Sequence, residues 1–234
     1  MNAHIYFMVE KVRKAVIIAA GYGTRMMPVT KVVPKILLPI GNKPVISYLL
    51  EEIINSGIKD VVIITRPKRN MIRSYLTLNK NLNKTLSSIG KKDVVDDLTH
   101  SLPKCKLSFV EQKEPLGWVN AILQTKKLVG KNPFVTLFDD IIIKSKIPAT
   151  RQVCDIFEKT GKCVNGSALR YLFKPNTFKV MEEIDYSLGE EHAIQTLRKR
   201  LREKRDIIDY PLDGTVYNTG DPTSYRKTFC KLSR

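Results

Sequence analysis

Two stretches of the sequence combine residue types that suit chemistry on phosphates. GYGTR at 21–25 sets two glycines and the fixed charge of Arg25 directly after a buried-strand pattern. A loop of unpaired main-chain N–H groups at the carboxyl edge of a parallel sheet is a natural phosphate cradle. The G-x-G spacing also fits an ordinary turn, and it is neither a Walker A loop nor G-x-G-x-x-G, because residue 26 is methionine. Asp139 and Asp140 end a later apolar run, where they would either serve a site or cap the following loop.

These residues need a scaffold, and the apolar pattern predicts an α/β one. KAVIIAA at 14–20 and DVVIIT at 60–65 have the continuous, β-branched character of strands buried on both faces. Between them, 43–57 has apolar residues at helical spacing and ends at a glycine, so a right-handed crossover makes the two strands parallel. Further strands are predicted at 106–112, 133–140 and 168–173, helices at 118–130, 151–160 and 190–205, a polar helical region at 68–103, and a strand or loop at 214–220. The alternation predicts a doubly wound, mostly parallel sheet.

Length and composition bound the classes of function. The chain has 234 residues, 43% of them apolar and 27% charged, which excludes intrinsic disorder and a disulfide scaffold. Lys and Arg number 40 against 23 Asp and Glu, a net charge of +17, which favours a nucleic acid, a phosphorylated substrate or an anionic membrane surface as partner. The cysteines are scattered, and the sequence shows neither a signal-peptide pattern nor an apolar run of about 18–20 residues. These features predict a cytoplasmic protein without a membrane partner. Residues 1–7 are not expected to add an element.

A longer pattern resembles a known family. The stretch KAVIIAAGYGTRMMPVTKVVPKILLPIGNKPVISYLLEEIINSGIKDVVIIT at 14–65 is similar to the N-terminal signature of the sugar-phosphate nucleotidylyltransferases, and most closely to the bacterial and archaeal UTP–glucose-1-phosphate uridylyltransferases. The resemblance continues through FVEQKEPLGWVNAI at 109–122 and FVTLFDDIII at 134–143. It covers about 14–145 in order and implies the Rossmann-like nucleotidyltransferase fold, with a nucleotide-binding part at 1–145 and a reduced sugar-phosphate-binding part of the same domain at 146–234.

The resemblance implies a Mg²⁺-dependent transfer from UTP to glucose 1-phosphate, giving UDP-glucose and pyrophosphate. Arg25 and Lys35 would be catalytic and would offset charge on the triphosphate. Gln112 and Gly117 would read the uracil edge, and Asp139 would hold Mg²⁺. The residues expected to wrap the nucleotide are Ala19, Ala20, Gly21, Gly23 and Thr24.

The C-terminal third departs from the family pattern. The segment between Asp140 and the strand at 168–173 is several dozen residues shorter, and it lacks the Glu-Lys-Pro motif whose lysine binds the sugar phosphate. The glutamate that grips glucose hydroxyls corresponds to Glu190 or Glu191. Asn218 stands where the family has a second aspartate ligand for Mg²⁺. Ile36 replaces a glutamate, which removes a carboxylate expected near the nucleotide.

Several interpretations stay open at this level. The chain is an active uridylyltransferase with a compact acceptor side, a paralogue using another sugar phosphate or dTTP, or a degenerate nucleotide binder without turnover. Trp118, where the family has a smaller aliphatic residue, would either pack or stack on the nucleoside. Six cations within 198–205 also fit a nucleic-acid surface on an exposed helix, although a solvated helix is the simpler interpretation and nucleic acid is not the expected partner. A homo-oligomer is compatible with all of these.

Overall fold

The computed structural model describes residues 10–68 and 70–233, so the expectation that residues 1–7 add no element lies outside the described chain. The strands are β1 (Lys14–Ile18), β2 (Pro39–Ile40), β3 (Lys43–Pro44), β4 (Asp60–Thr65), β5 (Lys106–Glu111), β6 (Phe134–Phe138), β7 (Ile141–Lys144), β8 (Cys163–Gly166), β9 (Arg170–Phe173), β10 (Ile207–Tyr210) and β11 (Thr215–Asn218). The α-helices are α1 (Val45–Asn55), α2 (Met71–Leu76), α3 (Lys80–Ser88), α4 (Lys92–His100), α5 (Gly117–Leu123), α6 (Lys126–Val129), α7 (Ala149–Thr160), α8 (Thr177–Glu182), α9 (Glu190–Glu203) and α10 (Pro222–Leu232).

Seven strands form the central sheet, in the order β10-β8-β9-β6-β1-β4-β5. β1 pairs in parallel with β4 and β6, β4 with β5, and β8 with β10. Among the described strands of this sheet, β9 is the one that runs the other way, antiparallel to β6 and β8. The predicted α/β class with a mostly parallel sheet is confirmed. Strands from both predicted parts, 1–145 and 146–234, share this one sheet.

The two faces of the sheet carry separate hydrophobic layers, because successive strand residues point to opposite sides. In β1, Ala15 and Ile17 pack with α1 and α7, whereas Val16 and Ile18 pack with α5, α8 and α9. All four residues are at most 7% exposed. Helices on both faces therefore hold the sheet as a platform, and its carboxyl edge carries the loops.

The structure differs from the sequence prediction in short elements. The four-residue strands β7, β8 and β10 are not predicted, and β7 pairs antiparallel with β11 in a separate two-stranded sheet. The helix predicted at 118–130 is divided into α5 and α6. At the division the hydroxyl of buried Thr125 donates to Ile122 O over 2.7 Å, a side-chain bond that competes with the helical ladder.

The cation-rich helix α9 packs on the sheet along one side. A stripe on that side is 1–2% exposed and consists of Ala193, Leu197 and Leu201. Arg198 Nη2 donates to the hydroxyl of Tyr171 over 2.7 Å, and Arg200 pairs with Glu183 at 2.6 Å. The expected exposure holds for Lys199, Arg202, Lys204 and Arg205, whereas Arg198 and Arg200 are half-buried and have these partners within the protein. The described helices include none long and apolar enough to cross a membrane.

Candidate active site

Loops that follow β1, β4, β5 and β6 meet at one edge of the sheet, because parallel strands end at the same edge. A cavity of about 440 Å³ opens at this edge. The predicted site residues in its lining are Ala20, Gly21, Gly23, Thr24, Arg25, Lys35, Gln112, Gly117, Asp139 and Glu190. Three other predicted site residues, Ala19, Glu191 and Asn218, lie outside this lining.

The loop after β1 turns tightly at a glycine. Gly23 has a φ of +64°, and a Cβ at this position would lie 3.0 Å from Cγ2 of Thr30. Thr30 is buried, and its hydroxyl donates to Gly23 O over 2.7 Å. Position 23 therefore requires glycine both for its left-handed backbone and for the close approach of Thr30. The turn leads the chain into Arg25, which lines the cavity.

Lys35 begins a short 3-10 helix, Lys35–Leu37, and the next residue, Ile36, packs this helix against the core. Ile36 is fully buried in the core layer that includes α1, which fixes the segment while Lys35 lines the cavity. In this chain position 36 belongs to the core, so the expected loss of a carboxylate near the nucleotide stays a prediction. The side chain of Ile36 packs in the core because the tight turn sends adjacent residues in different directions.

Lys35 holds two carboxylates at once. Its Nζ lies 2.9 Å from Oδ1 of Asp139 and 2.6 Å from Oδ2 of Asp140. Burial on its own would lower the pKa of Lys35, but the two aspartates outweigh burial and raise that pKa, so the lysine stays charged. Burial raises the pKa of Asp139 to about 6, an effect that Lys35 opposes and Asp140 reinforces.

Asp140, for which the sequence leaves both a site role and a loop cap open, contacts several parts of the site. Its Oδ2 lies 3.8 Å from Nη2 of Arg25. A Cβ on Gly220 would lie 2.7 Å from the same oxygen, so the chain approaches closely here. The same Cβ would lie 3.1 Å from Oδ1 of Asn218, and this oxygen accepts the main-chain N–H of Gly220 over 2.7 Å. The amide oxygen of Asn218 is therefore near Asp140, and it keeps a second lone pair.

Gln112 is fixed so that it presents one type of atom. Its Nε2 donates to Gly117 O over 2.9 Å and to Oδ1 of Asn120 over 3.2 Å. Gln112 is only 7% exposed, and it lines the cavity. Because the protein uses both amide hydrogens, the carboxamide oxygen is the atom that Gln112 offers to a ligand.

The structure separates the two candidate glutamates. Oε1 of Glu190 accepts the main-chain N–H of Trp118 over 3.0 Å, and Glu190 lines the cavity. A Cβ at Gly117 would lie 2.6 Å from Cγ of Glu190, so glycine there makes room for this glutamate. Glu191 instead accepts from Nε2 of Gln195 over 3.0 Å on the exposed side of α9.

Trp118 contributes an aromatic wall. Its ring stacks on Tyr171 with centroids 5.2 Å apart and meets the edge of Phe138 at 5.4 Å. Trp118 and Phe138 both line the cavity. The tryptophan thus packs within the protein and also faces the space beside Glu190.

Arg66 and Tyr22 are site residues that the sequence analysis does not find. The guanidinium carbon of Arg66 lies 4.0 Å from the centre of the Tyr22 ring. Both residues line a second cavity of about 270 Å³, which shares Ala20, Gln112 and Pro115 with the first. Arg66 is the first residue after β4, and this position at the carboxyl end of a parallel strand is the one sequence feature that could have indicated a site residue.

A glycine-turned loop, a lysine between two aspartates and a fixed glutamine at the carboxyl edge of a parallel sheet define a nucleotide-handling α/β enzyme. The family comparison agrees: residues 14–171 match the family described as "Nucleotidyl transferase". The chain belongs to the nucleotidyl transferase family.

Curated relatives extend the similarity beyond that range. A UTP–glucose-1-phosphate uridylyltransferase of Staphylococcus epidermidis is 30% identical, with 94% of this chain and 91% of that protein covered. The Bacillus subtilis protein of the same name is 28% identical, with 94% and 90% covered. The S. epidermidis alignment spans 263 positions against 234 residues here, so that relative has residues without a counterpart in this chain.

A solved structure shows the same fold. The UTP-bound UGPase from Acinetobacter baumannii has a TM-score of 0.84 and 19% identity, with 95% of this chain and 96% of that chain covered. The predicted nucleotidyltransferase fold is therefore confirmed.

Proposed function

We propose that the protein transfers the uridylyl group of UTP to glucose 1-phosphate, giving UDP-glucose and pyrophosphate. The observation that carries this proposal is one cavity lined by a glycine loop, Lys35, Asp139 and Gln112. The names of the curated relatives, which match along 94% of this chain, support this pair of substrates.

The proposed reaction is an in-line displacement at the α-phosphorus of UTP. A phosphate oxygen of glucose 1-phosphate forms a bond to that phosphorus, and the bond to the oxygen bridging the α- and β-phosphates breaks. Pyrophosphate leaves with the electron pair of that bond. Arg25 and Lys35 offset the negative charge that develops, with Lys35 exchanging its aspartate partners for phosphate oxygens.

The residues present fit a Mg²⁺ ion at Asp139. Its carboxylate is buried at the cavity, and burial raises its pKa, so a nearby cation stabilises the ionised form. No cluster of three or more His, Cys, Asp or Glu that could hold a metal occurs in the described residues, which suits an ion that takes one or two carboxylates and completes its shell with phosphate and water. Asp139 would hold it, with Asp140 and the second lone pair of the Asn218 amide oxygen as the further protein oxygens nearby. Bound there, Mg²⁺ supplies positive charge to the phosphate oxygens.

We expect the acceptor side to be reduced, because the sequence lacks the Glu-Lys-Pro motif. Arg25 and Lys35 are the cations among the described residues that line the main cavity, so the acceptor phosphate has no separate lysine there. Glu190 would accept hydrogen bonds from glucose hydroxyls beside the Trp118 ring. We therefore expect a high KM for glucose 1-phosphate and an ordinary one for UTP.

The test is pyrophosphate release from UTP and Mg²⁺, with and without glucose 1-phosphate. Nucleotide binding is followed separately through the fluorescence of Trp118, the one tryptophan in the sequence. Release that requires glucose 1-phosphate supports the proposal. UTP binding with release only upon adding another sugar phosphate would assign a different acceptor, and binding without release on any acceptor would identify a nucleotide-binding protein without turnover.

A further inference from the structure

Arg66 carries a hydrogen-bond donor that the protein leaves unused. Its Nη2 is buried and has no partner among the described residues. The guanidinium is held against the Tyr22 ring at 4.0 Å, in the cavity that also contains Gln112. A buried N–H without a partner costs free energy, so Nη2 of Arg66 requires an acceptor that water or a ligand supplies.

Gln112, in the same cavity, offers a hydrogen-bond acceptor instead of a donor. Gln112 donates both amide hydrogens to Gly117 and Asn120 and so presents its carboxamide oxygen. The lining of this cavity thus offers an acceptor on Gln112 and a donor on Arg66. The complementary ligand edge has an N–H beside a carbonyl, which is the imide edge of uracil. Cytosine has an unprotonated ring nitrogen at that position, so it leaves Gln112 without a donor.

We infer that Arg66 is a specificity-determining residue, which donates from Nη2 to O4 of uracil while Gln112 accepts from its N3–H; cytosine has an amino group in place of O4. This inference rests on the proposed function, since it assumes that the base of UTP occupies this cavity. Tyr22 is a positioning residue, because its ring holds the guanidinium flat. Arg66 does not take part in the displacement at phosphorus.

The experiment compares Arg66→Met with Arg73→Met. Arg73 lies 4.2 Å from the Phe109 ring, so it makes the same kind of cation–π contact, but it does not line either cavity. Dissociation constants for UTP, CTP and inorganic tripolyphosphate are measured by calorimetry with Mg²⁺ and without a sugar phosphate. Arg66→Lys, which keeps the charge but loses the planar fork, guards against a folding defect in the methionine variant.

We expect Arg66→Met to weaken UTP binding by about tenfold or more, the usual effect of losing a hydrogen bond from a charged donor. Binding of CTP and tripolyphosphate changes little, so the preference for UTP over CTP falls by the same factor. Arg66→Lys loses most of that preference, and Arg73→Met keeps it.

Two results would overturn the inference alone: an unchanged preference for UTP over CTP in both Arg66 variants, or an equal loss for tripolyphosphate, which would make Arg66 a phosphate contact. Both presuppose that the wild-type protein binds UTP. If it binds no UTP, the proposed function fails first and the inference fails with it, so the two failures are distinguishable.

Discussion

Nζ of Lys35 lies 2.6 Å from Oδ2 of Asp140, a contact between residues 105 positions apart in the sequence. The 3-10 turn after Pro34 supplies the lysine, and the end of β6 supplies the carboxylate. The contact stabilises the ligand-free site, since the aspartates would otherwise face each other without a counter-charge. The contact also keeps the positive charge of Lys35 beside the space where the phosphates are expected.

Replacing Lys35 should affect both catalysis and stability. We expect Lys35→Met to lower kcat by about 10²–10³-fold, because a group that stabilises developing charge is lost. The free energy of unfolding should also fall, by about 3 kcal/mol, because two buried carboxylates lose their partner. Pyrophosphate assays and urea unfolding measure the two effects, with the exposed Lys159→Met as control. Full activity in Lys35→Met would remove the lysine from the mechanism.

The stability of the ligand-free protein should depend on Asp139. Its pKa is about 6 when folded, mainly because of burial, against about 3.9 unfolded. The folded state therefore binds more protons between these values, and this contribution makes stability fall as pH rises from about 4 to about 6. Asp139→Asn should raise the free energy of unfolding at pH 7.5 by about 1–3 kcal/mol while abolishing turnover. The prediction fails if the difference from wild type is the same at pH 5 and pH 8.

The two glutamates at the start of α9 should behave differently. Glu190→Gln should raise the KM for glucose 1-phosphate about tenfold, because a charged acceptor at the cavity is lost, and should leave the KM for UTP unchanged. Glu191→Gln is the matched control, since Glu191 contacts Gln195 on the exposed side. Initial rates at varied acceptor concentration distinguish them. Equal effects of both substitutions would argue against the acceptor role of Glu190.

Two glycines with similar backbones allow a test of the close approach at Gly117. Gly117 has a φ of +81° and Gly57 a φ of +83°, but only the first would set its Cβ against another side chain, that of Glu190. Each Gly→Ala change should cost about 1–2 kcal/mol of stability from the left-handed backbone. Gly117→Ala should in addition raise the KM for glucose 1-phosphate by displacing Glu190. If Gly57→Ala changes that KM as much, the effect is a general loss of stability.

A buried ion pair should dominate the electrostatic contribution to stability. Arg170 is fully buried, and its Nη2 lies 2.8 Å from Oε2 of Glu52. The other oxygen of Glu52, Oε1, accepts from the hydroxyl of Thr150. Glu52→Gln should lower the free energy of unfolding by about 3–5 kcal/mol, because it leaves the buried guanidinium uncompensated. Asp155→Asn, which removes a partner of Arg151 near the surface, should cost less than about 1 kcal/mol. Urea unfolding monitored by circular dichroism checks both.

The strands that the sequence predicts well are those buried on both faces. DVVIIT matches β4 residue for residue, because continuous β-branched apolar residues fit few other environments. The strands β7, β8 and β10 escape prediction because four residues carry little periodicity, and β7 and β10 in addition pair with strands that are distant in the sequence. The division between α5 and α6 depends on one hydroxyl, that of Thr125, which no periodicity reveals.

For the candidate site too, features set by the local sequence could be predicted, whereas features set by contacts between distant residues could not. The glycine loop and Asp139 could be predicted because each follows its own strand and resembles a family motif. The role of Arg66 could not be predicted, because it depends on a contact with Tyr22, which is distant in the sequence and adjacent only in the fold. The choice between Glu190 and Glu191 likewise needs the contact with Trp118.

Most residues of the candidate site stand on loops, 3-10 turns and the first residues of helices, whereas the strands beneath them form the core. Some substitutions can therefore reach the chemistry without unfolding the protein: Lys35→Met is expected to cost both activity and stability, whereas Asp139→Asn is expected to cost activity alone. A descendant of this chain could lose catalysis in the second way and still fold. Heat resistance and overall shape are for that reason poor guides to activity in such lineages, and turnover has to be measured directly.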